Sequence, residues 1–429
     1  MKYQVKTFKN KIRLVSIPLP VKSVAVEISV DAGSRYETKK NWGISHFVEH
    51  MLFKGTKRRP TAHDLAAEVD SFGGVFNAGT GKEQTSFYIK SAADKLSKDL
   101  DILVDILTNS KFEQKEIEKE KGVILEEINM REDIPMAKVG EIFDGLLYGE
   151  TPLGRMILGK KENIIKMKRE DFLSYMKRFY RPERMVVSVA GGIIHKAARD
   201  AFLASSHLSE VTPARCCEAT PRRCDETKQI QPQLKLHYKK TNQTHFCLGV
   251  RTFARSHPDR YNLSVLATIL GGSMSSRLFE EVREKRGLAY YIRSSVSRFH
   301  ETGHLVTQAG VPINKIGEAI QIVLKEYRKM ANGEWRIANS ELKKAREYLK
   351  GHLILSLEDS YNVADLFGSS LLLEGKIRTT DEIIKGIEKV TIKDIARVAK
   401  KIFLPKNLNL AIIGPYRNET QFDRLLKKF

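Results

Sequence analysis

ENIIKMKREDFLSYMKRFYRPERMVVSVAGG (162–192) and DEIIKGIEKVTIKDIARVAKKIFLPKNLNLAIIGP (381–415) are two versions of one pattern. Each runs from an acidic residue through Ile-Ile-Lys into an amphipathic helix with an early Asp. Phe, then Pro, then an apolar strand ending in Gly follow. Asp171 matches Asp394, Pro182 matches Pro405 and Gly191 matches Gly414, all at one offset of 223 residues. Pro after the helix is a stop signal, and the apolar run behind it suits a buried strand. The chain therefore reads as two similar halves.

The rest of the sequence fits that division. A chain of 429 residues exceeds what one ordinary core organises. The early strands VAVEISV (24–30) and FNAGTGKEQTSFYIK (76–90) alternate as half-buried strands do, and long helical segments follow. The expected class is α+β: two homologous domains, each a mostly antiparallel sheet covered by helices on one face. The expected domains are 1–205 and 233–429. A Ser/Thr/Pro/Cys-containing linker at 206–232 lacks apolar periodicity.

Composition excludes several classes. With 41% hydrophobic and 29% charged residues, the chain is globular rather than disordered. No apolar run approaches a membrane span. The opening MKYQVKTFKNKIRLVSIPLP has no apolar signal-peptide core, so a cytoplasmic location is expected. Of four cysteines, Cys216, Cys217 and Cys224 fall in the linker with a spacing that matches no zinc or redox motif; Cys247 stands apart. The net charge of +21 favours anionic partners. But Lys and Arg are spread over many helices, which reads as a solvated surface; nucleic acid is not an expected partner.

Chemistry concentrates in HFVEH (46–50). On a helix, His46 and His50 fall one turn and roughly 40° apart, the spacing that lets two imidazoles reach one metal. Glu49 flanks them. This is the H-E-x-x-H arrangement reversed, and the angular relations survive reversal, so Glu49 can reach a water beside the metal. A catalytic zinc takes three protein ligands. The acidic helix EQKEIEKEKGVILEEINMRED (113–133) offers the third: Glu120 and Glu127 share a face two turns apart. Glu127 is a candidate ligand and Glu120 a candidate partner to a ligating histidine, although spacing alone recommends Glu126 nearly as well. At the repeat offset, Lys343 and Lys350 stand where the first half has Glu120 and Glu127. In a looser match, Leu263, Leu266 and Ala267 stand against His46, Glu49 and His50. A constellation kept in one half only points to chemistry there.

HFVEHMLFKGT, FNAGTGKEQTSFY, EKEKGVILEEI and PLGRMILG, in this order, resemble the inverzincin zinc metallopeptidases of the pitrilysin, insulin-degrading enzyme and mitochondrial processing peptidase family. In the second half SSRLFEEVREKRGLAY resembles it too. The resemblance implies one Zn2+ per chain held by His46, His50 and Glu127, Glu49 as general base, and Glu120 orienting a ligating histidine. It also implies an edge strand carrying Asn77 and Ala78 that binds peptide as an added strand. Arg283 and Tyr290 would bind the substrate carbonyl or the developing oxyanion. Relatives of this length hold two domains per chain, and longer ones hold four around a chamber. A homodimer is therefore expected, with Arg283 and Tyr290 acting in trans. Two other classes stand beside this endopeptidase: a non-catalytic peptide-binding partner subunit, since the family includes such subunits, and a basic nucleic-acid-binding protein.

Overall fold

The computed structural model describes residues 1–205, 231–334 and 337–429. The expected linker, with Cys216, Cys217 and Cys224, lies almost wholly outside the described residues. Two compact units emerge: Met1–Asn129, Arg155–Arg222 and Ile354–Thr380 form one, and Met130–Gly154, Arg223–Leu353 and Asp381–Phe429 the other. They are interleaved in sequence. The domains expected as continuous segments thus exchange residues 130–154 and 354–380.

The first unit is built on β1 (Gln4–Thr7), β2 (Arg13–Pro18), β3 (Ser23–Val30), β4 (Val75–Thr80), β5 (Thr85–Ala92) and β6 (Met185–Gly191), in the order β1-β2-β6-β3-β5-β4. All neighbours are antiparallel except β2 and β6. Its helices are α1 (Ile44–Leu52), α2 (Ala62–Ser71), α3 (Leu96–Asn109), α4 (Gln114–Asp133), α6 (Lys161–Lys166), α7 (Arg169–Phe179) and α8 (His195–Ser205); α5 (Pro135–Tyr148) belongs to the second unit. Val24, Val26, Ile28 and Val30 of β3 point into a core with Phe47 and Val48 of α1, Leu100, Leu103 and Ile106 of α3, and Phe172 of α7.

The second unit contains β7 (Gln233–Tyr238), β8 (Gln243–Thr252), β9 (Tyr291–Arg298), β10 (Gly303–Pro312) and β11 (Leu408–Gly414), ordered β7-β11-β8-β10-β9. Only β7 and β11 run parallel. Its helices are α9 (Arg260–Ala267), α10 (Ile316–Asn332), α11 (Asn339–Ser356), α13 (Thr380–Glu388), α14 (Ile392–Ile402) and α15 (Thr420–Lys427). The duplication holds residue for residue where it was read: α7 and α14, and β6 and β11, coincide at the 223-residue offset. Asp171 and Asp394 each accept a hydrogen bond from the amide three residues earlier, at Lys168 and Thr391.

Each sheet also has a helix on its second face, and that helix comes from the exchanged segment. In the second unit α5 packs Val139, Phe143 and Leu147 against Cys247, Ala411 and Ile413. In the first, α12 (Ser360–Glu374) lies on β3 and β6. The approach is close. A Cβ at Gly368 would sit 2.2 Å from Ser188 Oγ, so any larger residue there would force that hydroxyl to turn away. Consequently β3 is buried on both faces rather than half-buried, and Glu27 and Ser29 are fully enclosed.

Candidate metal centre

Helix α1 follows from its pattern. Ile44, Phe47, Val48, Met51 and Leu52 are at most 1% exposed, which leaves His46, Glu49 and His50 together on the other face. Gly43 starts the helix at φ 100°, a left-handed conformation that favours glycine. Helix α4 anchors through buried Ile117, Ile124 and Ile128. That seating turns Glu120 and Glu127 toward α1.

Three side chains converge. His46 Nε2 and His50 Nε2 lie 3.2 Å apart. Glu127 places Oε2 3.6 Å from His46 Nε2 and Oε1 3.6 Å from His50 Nε2. One ligand atom from each of the three falls within 4.8 Å of the others, the one such group among the described residues. Glu126, nearly as good as Glu127 by spacing, instead faces solvent and accepts a hydrogen bond from Asn129. Glu120 Oε1 lies 2.7 Å from His50 Nδ1, while its Oε2 takes Lys54 Nζ at 2.6 Å. With Nδ1–H donated to Glu120, His50 presents the lone pair of Nε2 to the centre. Thr80, at the end of β4, donates its hydroxyl to Glu49 Oε2.

These residues suit a metal ion. Two imidazole nitrogens bound to one tetrahedral zinc at roughly 2.0–2.1 Å would sit about 3.3 Å from each other, close to the 3.2 Å observed. Glu127 Oε2 is buried and accepts no hydrogen bond, a costly state for a carboxylate oxygen that a cation would relieve. Two imidazoles and one carboxylate are also a borderline-soft donor set of the kind zinc takes.

Electrostatics divide the group. Burial, then the neighbouring His50, push the His46 pKa down to about 3, so this imidazole is neutral at ordinary pH. For His50, burial works downward, but the Glu120 hydrogen bond and the charges of Glu127, Glu120 and Glu49 together lift it above the usual histidine value. Burial raises Glu49 above the ordinary carboxylate range, against the Thr80 hydrogen bond and His50. Burial also acts upward on Glu120, yet the bonds from His50 and Lys54 hold it below that range.

The remaining expected residues fall in two places. Asn77 and Ala78 lie on β4, the outer strand of the first sheet; Asn77 is exposed and its Oδ1 accepts the Ala78 amide at 2.8 Å. Arg283 and Tyr290 belong to the second unit. The Arg283 guanidinium lies over the rings of Phe279 and Tyr290 at 4.8 and 5.9 Å. Tyr290 is 76% exposed, so it is no core residue. In the second half Leu263, Leu266 and Ala267 are buried apolar residues of α9, and Lys350 on α11 pairs with Glu347 and Glu388. Lys54 and Thr80 escaped the sequence reading. Lys54, one turn past His50, carried a usable signal; Thr80 reaches Glu49 only through long-range packing of β4.

Known proteins resemble this chain in sequence and fold. The family model "Insulinase (Peptidase family M16)" covers residues 13–161, and "Peptidase M16 inactive domain" covers 166–349. An uncharacterized zinc protease of Mycobacterium leprae is 36% identical over 98% of this chain and 94% of its own length. One of Bacillus subtilis is 36% identical over 96% and 98%. The crystal structure of a protease from Helicobacter pylori superimposes with a TM-score of 0.91 at 25% identity, covering 96% of this chain and 99% of that one. The metal-ready face of α1 and α4 lies within the segment matched as insulinase, and the half without it falls largely in the segment matched as inactive: the chain belongs to peptidase family M16.

Proposed function

We propose that the chain is a zinc-dependent endopeptidase that cleaves peptides or unfolded segments in a chamber, with one zinc per chain held by His46, His50 and Glu127. The observation that carries this reading is the convergence of three ligand atoms within 4.8 Å, on a helix that also presents Glu49. The zinc-protease names of the relatives support it.

Zinc, when bound, supplies a Lewis acid that polarises a peptide carbonyl and lowers the pKa of a water. Glu49 moves the proton. Its burial-raised pKa brings it nearer to neutrality, where a carboxylate both accepts a proton from the attacking water and returns it to the leaving nitrogen. The Thr80 hydroxyl fixes the orientation of that carboxylate. Glu120 fixes the tautomer and ring plane of His50, and Lys54 keeps Glu120 ionised. An extended peptide adds to β4, whose outer edge carries Asn77 and Ala78 and has no strand beyond it among the described residues. Arg283 and Tyr290, from a second copy in a homodimer, stabilise the carbonyl oxygen as it gains charge. An exposed, cation-flanked tyrosine suits that role. The basic chain suits acidic or neutral peptides.

Metal analysis combined with a peptide digest, with and without chelator, tests the reading. The expected result is about one zinc per chain and cleavage that a chelator abolishes and zinc restores. Glu49→Gln should retain the metal and lose at least 10²–10⁴-fold in turnover. Cleavage indifferent to chelator, or full turnover by Glu49→Gln, would sink it. Peptide binding without turnover would make the chain a non-catalytic partner subunit.

A further inference from the structure

The two histidines of α1 are held in different ways. His50 is fixed through its side chain, Nδ1 to Glu120 at 2.7 Å. His46 Nδ1 is buried and has no hydrogen-bond partner. Packing and its own backbone must therefore place the His46 ring, and His46 is the third residue of α1. First-turn amides have no partners within their own helix and fray unless something caps them. Gly43, at the cap position, has no side chain to do so.

A remote carboxylate does it instead. Glu37 is 1% exposed, and both its oxygens are used: Oε2 accepts the Gly43 amide at 2.8 Å and Oε1 the Ser45 amide at 2.9 Å. The intervening Ile44 amide goes to Asn41 O at 3.0 Å. Ser45 is pinned on its other side, its hydroxyl 2.8 Å from the phenol of buried Tyr175 on α7. Glu37 is itself held, because Arg155 Nη1 donates to its carbonyl at 2.9 Å. A negative group at a helix N-terminus also meets the positive end of the helix dipole.

We infer that Glu37 is a positioning residue for the metal centre: it locks the first turn of α1 and thereby sets His46, as Glu120 sets His50. The inference rests on the zinc reading above. It makes the centre depend on two carboxylates that touch no metal, one acting on a ring nitrogen and one on the backbone.

Glu37→Gln is the test. The amide keeps one acceptor and turns an NH2 donor against a backbone N–H, so one first-turn amide loses its partner. In a competition assay with a chromophoric chelator, zinc affinity should fall about 10- to 100-fold, the usual effect of losing an outer-shell partner. The visible spectrum of the cobalt-substituted protein should change. A capping role confined to stability would lower the melting temperature of the metal-free protein but leave both readouts of the folded protein unmoved. Unchanged zinc affinity with an unchanged cobalt spectrum overturns the inference. Should Glu37→Gln not fold, Glu37→Asp decides in the same assays: its shorter side chain cannot span both amides, and wild-type affinity in it overturns the inference equally. Wild-type protein that binds no zinc brings down the zinc reading itself, which separates that failure from this one.

Discussion

Glu27→Gln should make the first unit more stable, and increasingly so as pH rises. Glu27 is fully buried between β3 and α12. Ser29 donates its hydroxyl to Oε1 at 3.0 Å, while Oε2 has no hydrogen-bond partner and no basic side chain forms an ion pair with either oxygen among the described residues. Burial first, then the charge of Asp365 on α12, push its pKa up to about 8, against the pull of the nearby Ser29 and Ser86 hydroxyls. In the unfolded chain the same carboxyl titrates near 4.5. Between those two values the folded state holds a proton that the unfolded state has released. Stability is therefore fully present below about pH 4.5 and falls as pH rises toward 8. At about 1.4 kcal/mol per unit, the loss reaches about 4 kcal/mol at pH 8. Gln has nearly the same shape, does not titrate, and brings N–H groups toward acceptors such as Ser188 Oγ, which has no partner. The variant should thus exceed wild type by less than about 1 kcal/mol at pH 5 and by about 4 kcal/mol at pH 8, the latter roughly 8–16 °C for a unit of this size. Thermal unfolding at pH 5, 6.5 and 8 reads this directly. Glu37 and Asp99, both lifted to about 7 by burial, titrate in both proteins and cancel in the difference. A difference independent of pH, or a variant less stable at pH 8, would refute the argument.

Glu120→Gln should weaken zinc binding about 10- to 100-fold; an unchanged affinity by chelator competition would remove Glu120 from the centre. Arg59→Ala should cost about 3–5 kcal/mol, because Arg59 is 5% exposed and bonds Glu68, Asp101 and the buried Asp105 at 2.6–2.8 Å. A denaturant midpoint equivalent to less than 1 kcal/mol would contradict that. On the proposed trans arrangement, a mixed dimer of inactive Glu49→Gln and Tyr290→Phe proteins would hold one intact site, so mixing them should restore part of the peptide cleavage. No recovery after subunit exchange would mean that Tyr290 does not act in trans.

The fold was legible wherever one residue's type reports its own surroundings. The offset linking Asp171 to Asp394 and Pro182 to Pro405 fixed two halves, because capping and helix-stopping are local. HFVEH and the Glu120/Glu127 spacing were legible for the same reason: one helix periodicity places each set on one face. What stayed hidden was distant cover. VAVEISV reads as a half-buried strand since alternation reports polarity, not burial, and the helix enclosing Glu27 and Ser29 lies more than 330 residues away. Glu37 was hidden likewise. Its spacing from HFVEH follows no regular period, because a 3-10 turn at Ser34–Tyr36 and a loop, not a helix, bring it back to the Gly43 amide.

The exchange of residues 130–154 and 354–380 bears on biosynthesis. A ribosome delivers the chain from its N-terminus, and domains of most proteins fold in that order. Here the strands that carry Glu27 and Ser188 are finished long before their lid, α12, has been made. Until then the face of the nascent first sheet that holds Glu27, Ser29 and Ser188, together with apolar Val15, Ile17 and Val186, lacks its helical cover. The burial that penalises Glu27 in the mature protein at high pH is thus imposed only when α12 arrives, and a chain truncated before residue 354 should titrate Glu27 nearer the ordinary carboxylate range.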